Sequence, residues 1–169
     1  MFSAARGGFN YYAGPTGLDP YWTSVSFLQN YEYPQLAFTD SSTNNYLILP
    51  SADVKPSVKT PFTAGTGGSM YYDGTGDQLQ APYNATSFVY GTNNFTMECW
   101  VYPTTLVSNT EFMATNILGS NGYASIRILS TNTGALYFLC SASSGTWINT
   151  STSAAGTVAI NNWYHIAAV

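Results

Sequence analysis

The sequence predicts an all-β protein, a sandwich of two antiparallel sheets with an extended N-terminal arm. Two observations carry this. From Trp22 onward, short apolar stretches alternate with clusters of Gly, Asn, Ser, Thr and Pro, at roughly 8 to 14 residues per strand-and-turn unit. No window sustains apolar residues at i, i+3, i+4 and i+7 over three turns, so no long amphipathic helix is expected. At 169 residues the chain is long enough to bury about two thirds of its unfolded surface in one core.

Taken in order, residues 1–21 are expected to form the arm and residues 22–169 the domain. In the arm, Gly7-Gly8, Gly14-Pro15 and Asp19-Pro20 break every periodicity. Phe9, Tyr11 and Tyr12 give it aromatic positions suited to docking on its own domain or on a neighbouring subunit. The expected strands are Val25–Leu28, Tyr46–Leu49, Ser69–Tyr72, Gln78–Gln80, Phe95–Tyr102, Phe112–Leu118, Ser125–Leu129, Leu136–Ser141, Thr146–Asn149 and Trp163–Val169. So many strands imply two packed sheets. In the clearest of them, alternation puts Phe95, Met97, Cys99 and Val101 on the core face. Thr96, Glu98, Trp100 and Tyr102 then share the other face, and that is too much aromatic area to leave bare without a reason. Asn44-Asn45, Asn93-Asn94 and Asn161-Asn162 fall where connections are expected, because Asn tolerates the left-handed conformations of turns.

Charge excludes several functions. Charged residues are only 7% of the chain, and its cations are Arg6, Lys55, Lys59 and Arg127. Neutralising a nucleic-acid backbone needs clustered cations, so nucleic acid is not an expected partner. No apolar run approaches the 18 or so residues that span a bilayer, and Met1–Asn10 lack the layout of a secretory signal. Cys99 and Cys140 are too few for a disulfide scaffold or a zinc knuckle and are expected as separate thiols. The single histidine, His165, lies in a run that reads as a buried strand and is expected to be packed and hydrogen-bonded. Arg127 alternates with Ile126 and Ile128, so it is expected to point outward and to pair with Glu98 or Glu111.

Three segments together resemble the laminin G-like, or concanavalin A-like, jelly-roll domain, in the form found in phage virion proteins and bacterial surface proteins. They are Ser69-Met70-Tyr71-Tyr72-Asp73-Gly74-Thr75-Gly76-Asp77-Gln78-Leu79, Phe95-Thr96-Met97-Glu98-Cys99-Trp100-Val101-Tyr102-Pro103 and Asn162-Trp163-Tyr164-His165-Ile166-Ala167-Ala168-Val169. The resemblance runs from about Trp22 to the end. It implies a strand, an Asp-Gly turn and a strand for the first segment, a central sheet strand for the second, and for the third a strand normally followed by a further hairpin. That hairpin is expected to be missing from this sequence.

The resemblance leaves function open among lectins, adhesion modules, glycosidases and virion building blocks. For glycan binding, sugars stack their C–H faces on aromatic rings while neutral amides and hydroxyls satisfy their hydroxyl groups. Tyr71, Tyr83, Tyr90, Trp100, Tyr102, Tyr123 and Trp147 are the candidates. Asp73 and Asp77 offer hard oxygen ligands on a Gly-rich turn, and some laminin G-like domains hold calcium at a rim. Asp73 in an Asx-turn would serve equally without a metal. Glycosidase chemistry needs two facing carboxylates; the matching strand offers Glu98 alone, with Glu111 beyond a turn, so no enzyme activity is expected. Asn84-Ala85-Thr86, Asn94-Phe95-Thr96 and Asn149-Thr150-Ser151 are glycosylation-type triplets expected by chance in so Asn- and Thr-rich a chain. The expected function is a non-enzymatic virion structural protein, in a tail fibre, tail or head decoration. It would be oligomeric with itself or other virion subunits, surface-exposed, and able to engage host-surface polysaccharide. A carbohydrate-binding or adhesion module of a secreted or cell-surface protein is one alternative, and a purely architectural subunit without a ligand is another.

Overall fold

The computed structural model describes residues 20–31, 38–62, 67–88, 90, 92–115, 126–143 and 146–169. The arm positions Phe9, Tyr11 and Tyr12, and Tyr123, lie outside the described residues. The chain divides into two compact units, Met1–Pro82 and Tyr83–Val169. Among the described residues, apart from one single-turn helix and one 3-10 turn, the regular structure is all β and antiparallel, a β-sandwich fold.

The first unit is built on one interrupted ribbon. Strands β1 (Leu49–Ser51) and β2 (Lys55–Ser57) run antiparallel to β3 (Ser69–Tyr71) and β4 (Gln78–Gln80), β1 pairing with β4 and β2 with β3. The two ladders are nested. Between them residues 52–54 on one side face residues 72–77 on the other, so the ladder opens into a bulge. Ahead of the ribbon, Trp22–Ser24 form the 3-10 turn. The expected strand Val25–Leu28 is instead irregular backbone, ending in an isolated bridge between Gln29 and Asp40. Its side chains Val25 and Phe27 still supply the core, buried as Ile48 is. Asp40 organises this segment. Its buried carboxylate accepts from the amides of Leu28, Ser42 and Tyr46 and from the Ser42 hydroxyl, all at 2.8–2.9 Å. A side chain here takes the place of a backbone ladder.

The second unit contains α1 (Ala85–Phe88), β5 (Met97–Val101), β6 (Thr110–Ala114), β7 (Ile126–Ser130), β8 (Leu136–Ser143), β9 (Thr146–Thr152) and β10 (Tyr164–Ala168). Asn84 caps α1, its side-chain oxygen accepting from the Thr86 and Ser87 amides at 2.9 and 3.0 Å. That gives Asn84 a structural role. Strands β6 to β9 form a four-stranded meander, and β5 pairs with β10 in a second sheet. The sheets face one another within the unit: Phe95, just before β5, stacks on Phe138 of β8 with ring centroids 6.2 Å apart. Met97, Ile126, Ile128, Val158 and Ile166 are buried in this unit. Arg127 faces the other way and pairs with Glu111 at 2.9 Å, the second of its two expected partners. Asn45 and Asn161 take positive φ angles of 48° and 61°, as expected of two of the Asn pairs.

Candidate functional site

The register of β5 against β10 sets Trp100 opposite His165, Cys99 opposite Ile166 and Glu98 opposite Ala167. Alternation sends Met97, Cys99, Ile166 and Ala168 inward. The outer face then collects side chains from both strands and their ends. Trp100 lies against His165 with ring centroids 5.1 Å apart and planes tilted by 38°. Tyr102 lies against Trp163 at 5.4 Å and 56°. Glu98 sits beside His165, Oε2 to Nε2 at 3.5 Å. The result is two aromatic pairs, side by side along the sheet, with a carboxylate at one end. Trp100, Tyr102 and Trp163 are half-buried, while the His165 side chain is 44% exposed.

His165 is therefore not the buried residue expected from its sequence. Its strand is amphipathic, with Ile166 7% exposed and Ala167 open, and the apolar run hid this because Ala is small on either face. Trp163 and His165 went unrecognised as partners of Trp100 and Tyr102. Alternation within Trp163–Val169 put them together, but no rule of spacing shows that this strand lies beside Phe95–Tyr102.

The other aromatic candidates are dispersed. Tyr90, half-buried, stacks on Phe95 at 5.0 Å, and burial raises its phenol above the usual range. Tyr83 is 62% exposed in the second unit and Tyr71 43% exposed in the first. Trp147 is placed on β9 by its backbone alone. Cys99 and Cys140 are free thiols, on β5 and β8 in different sheets. Burial, then the neighbouring Glu98 charge, push the Cys99 thiol up to about 12, which suppresses its reactivity.

In the first unit Asp73 and Asp77 meet in the bulge between the two ladders, joined there by Asp53, which sequence reasoning missed. One carboxylate oxygen of each lies within 4.8 Å of the others. Three carboxylates are hard donors of the kind calcium prefers. Each, however, already has a partner. The two oxygens of Asp77 accept from the Asp53 amide at 3.0 Å and the Asp73 amide at 2.6 Å. Asp73 accepts from the Thr75 amide at 2.6 Å, the Asx-turn, and Asp53 holds the Lys55 ammonium at 3.1 Å. The hydrogen bond and charge of Asp53 raise the Lys55 pKa. These contacts close the gap in the ribbon.

Comparison with known proteins bears on the second unit above all. A laminin G family model described as the concanavalin A-like lectin/glucanases superfamily matches residues 73–169. No curated protein matches the chain, and no solved structure does. The matched span is more than half of the chain, and it holds every strand of the second unit together with β4. By fold and by family, the chain belongs to the concanavalin A-like lectin/glucanase superfamily as a laminin G-like protein.

Proposed function

We propose that this chain is a non-catalytic display module that binds glycan on the outer face of β5 and β10. The observation that carries this reading is the pairing of Trp100 with His165 and of Tyr102 with Trp163 on one sheet face. Stacked rings present the flat apolar surface that a sugar's C–H face covers. Positions two residues apart on a strand are separated by about 6.8 Å, comparable with one sugar ring and its linkage. Glu98 can accept a hydrogen bond from a hydroxyl at the end of this row. The non-catalytic part of the reading rests on the acids of the second unit. They are Glu98 and Glu111 only; they lie in different sheets, and Glu111 is paired with Arg127. A glycosidase needs two carboxylates across one cleft.

The setting we propose is the surface of an assembled particle, a phage virion, with the module facing the host. Its support is the family resemblance and a chain so poor in charge that subunit contacts need desolvate few ions. Detection of the chain in purified particles tests that setting. For the site, binding to a panel of polysaccharides is read by tryptophan fluorescence, with Trp100→Ala and Trp163→Ala as variants. Each is expected to lower affinity for the responsive glycan at least tenfold. Binding that survives both substitutions overturns the aromatic-face site, and the absence of any response from an oligomeric protein favours the architectural reading.

A further inference from the structure

The outer face of β5 and β10 carries an unbalanced charge. Besides His165, the second unit contains three ionisable side chains of the Lys, Arg, Asp and Glu kinds, namely Glu98, Glu111 and Arg127. Arg127 is held by Glu111 at 2.9 Å on the four-stranded sheet, so the charge left over in the unit is the carboxylate of Glu98. It stands at the end of the aromatic row, with its side chain 24% exposed. Its Oε2 lies 3.5 Å from His165 Nε2, and that ring is a cation only when protonated. A carboxylate partly withdrawn from water costs free energy that a cation brought by a ligand would offset.

We propose, on the basis of the glycan reading of this face, that the sugar it selects bears a protonated amino group: a hexosamine whose ring covers Trp100 while its ammonium meets Glu98. The register leaves room for that substituent. Trp100 faces His165 across the ladder, and Glu98 faces Ala167, about 6.8 Å further along the same face. Ala167 is exposed and ends at a methyl group, so opposite the carboxylate the row drops from stacked rings to open space. A hydrogen bond from an ammonium to a carboxylate is roughly twice as strong as one between neutral groups, and an indole ring attracts the same cation. Acidic sugars are disfavoured by the same arrangement. A uronic acid would bring its carboxylate to Glu98 with Arg127 already engaged on the other sheet, and like charges across an interface oppose binding.

The hexamers of glucosamine, N-acetylglucosamine and glucose that share the cellulose linkage test the proposal, because they differ only in carrying an ammonium, an acetamide or a hydroxyl beside the anomeric carbon. At a pH where the amino groups are protonated, the full chain is expected to bind the glucosamine hexamer about tenfold or more tighter than either neutral one. In Glu98→Gln, which keeps the shape and an acceptor oxygen, that preference is expected to fall to about twofold or less. In the unaltered protein the preference should shrink as salt is raised, a measurement that needs no variant. Neutral hexamers that bind as tightly as the glucosamine hexamer overturn the amino-sugar selectivity and leave the glycan face standing. Binding by none of the three overturns the selectivity too, and the polysaccharide panel then decides whether the glycan face falls with it. A preference that survives Glu98→Gln, or is indifferent to salt, places the cation elsewhere and overturns the proposal. So does hexalysine binding as tightly as the glucosamine hexamer, since the ligand is then a basic peptide.

Discussion

Asp77 illustrates how one side chain can be read as a ligand or as a brace. Its oxygens hold the amides of Asp53 and Asp73 across the gap where the first unit's ribbon has no ladder. Asp53 leans on Lys55, in a pair with both side chains more than half exposed that contributes little by itself. Asp77→Ala is expected to cost about 1–2 kcal/mol, because two charge-assisted hydrogen bonds are lost at a partly solvated site. Since each carboxylate has its partner, neither excess chelator nor millimolar calcium is expected to change the melting temperature. A rise of several degrees with calcium, abolished in Asp77→Ala, would make the cluster a metal site. At this scale the sequence was half legible. Asp73 and Asp77 stand out on a Gly-rich turn, whereas Asp53 joins them through pairing between distant segments. In the same way, Trp100 and Tyr102 announce themselves as excess aromatic area on a strand, while Trp163 and His165 become their partners only through the β5–β10 register.

Among the elements, the second unit was the more readable. Phe95–Tyr102, Leu136–Ser141 and Trp163–Val169 were expected, and strands at Met97–Val101, Leu136–Ser143 and Tyr164–Ala168 occupy those places. Apolar alternation and Asn- or Gly-marked turns are strong there. In the first unit β3 and β4 occupy the expected Ser69–Tyr72 and Gln78–Gln80, while β1 and β2 were hidden behind proline. Pro50 sits in β1 and Pro56 in β2, and proline argues against a strand except where its missing N–H faces away from the ladder, as a two-stranded ribbon allows. Val25–Leu28 erred the other way, since its apolar residues are buried while the Asp40 side chain takes over its backbone bonding. The turn between β7 and β8 is the most constrained joint. Gly134 has φ 73°, its carbonyl accepts from the Val158 amide at 2.9 Å, and a Cβ there would run into the Val158 carbonyl. Gly134→Ala is expected to destabilise the protein by about 2 kcal/mol or more, from left-handed strain together with the clash. Urea unfolding measures this, and a loss below about 0.5 kcal/mol would show that the turn relaxes freely.

At the scale of the molecule, burial raises three weakly acidic side chains among the described residues, Tyr31, Tyr90 and Cys99. In the first unit, burial raises the Tyr31 phenol well above its usual range, with Tyr72 adding to the effect, and its hydroxyl donates to Gln29 Oε1 at 2.6 Å. In the second, burial raises Tyr90, and burial with the Glu98 charge takes Cys99 from a reference value of 9.0 to about 12. A raised folded pKa means that, above the unfolded value, the native state holds protons which the unfolded chain has released. Stability then falls as pH rises. For Cys99 the window opens near pH 9 and closes near 12, with a slope of about 1.4 kcal/mol per pH unit for one proton. Tyr31 and Tyr90 add to the loss above their ordinary range near 10. The urea midpoint is therefore expected to show no contribution from these groups between pH 7 and about pH 8.5, then to drop steeply toward pH 11. In Cys99→Ala the limb between pH 9 and 10 should flatten by about one proton, whatever that substitution costs at neutral pH. An alkaline limb identical in slope for the two proteins would mean that Cys99 ionises in the folded state as readily as in water, which its inward place on β5 against Ile166 of β10 forbids.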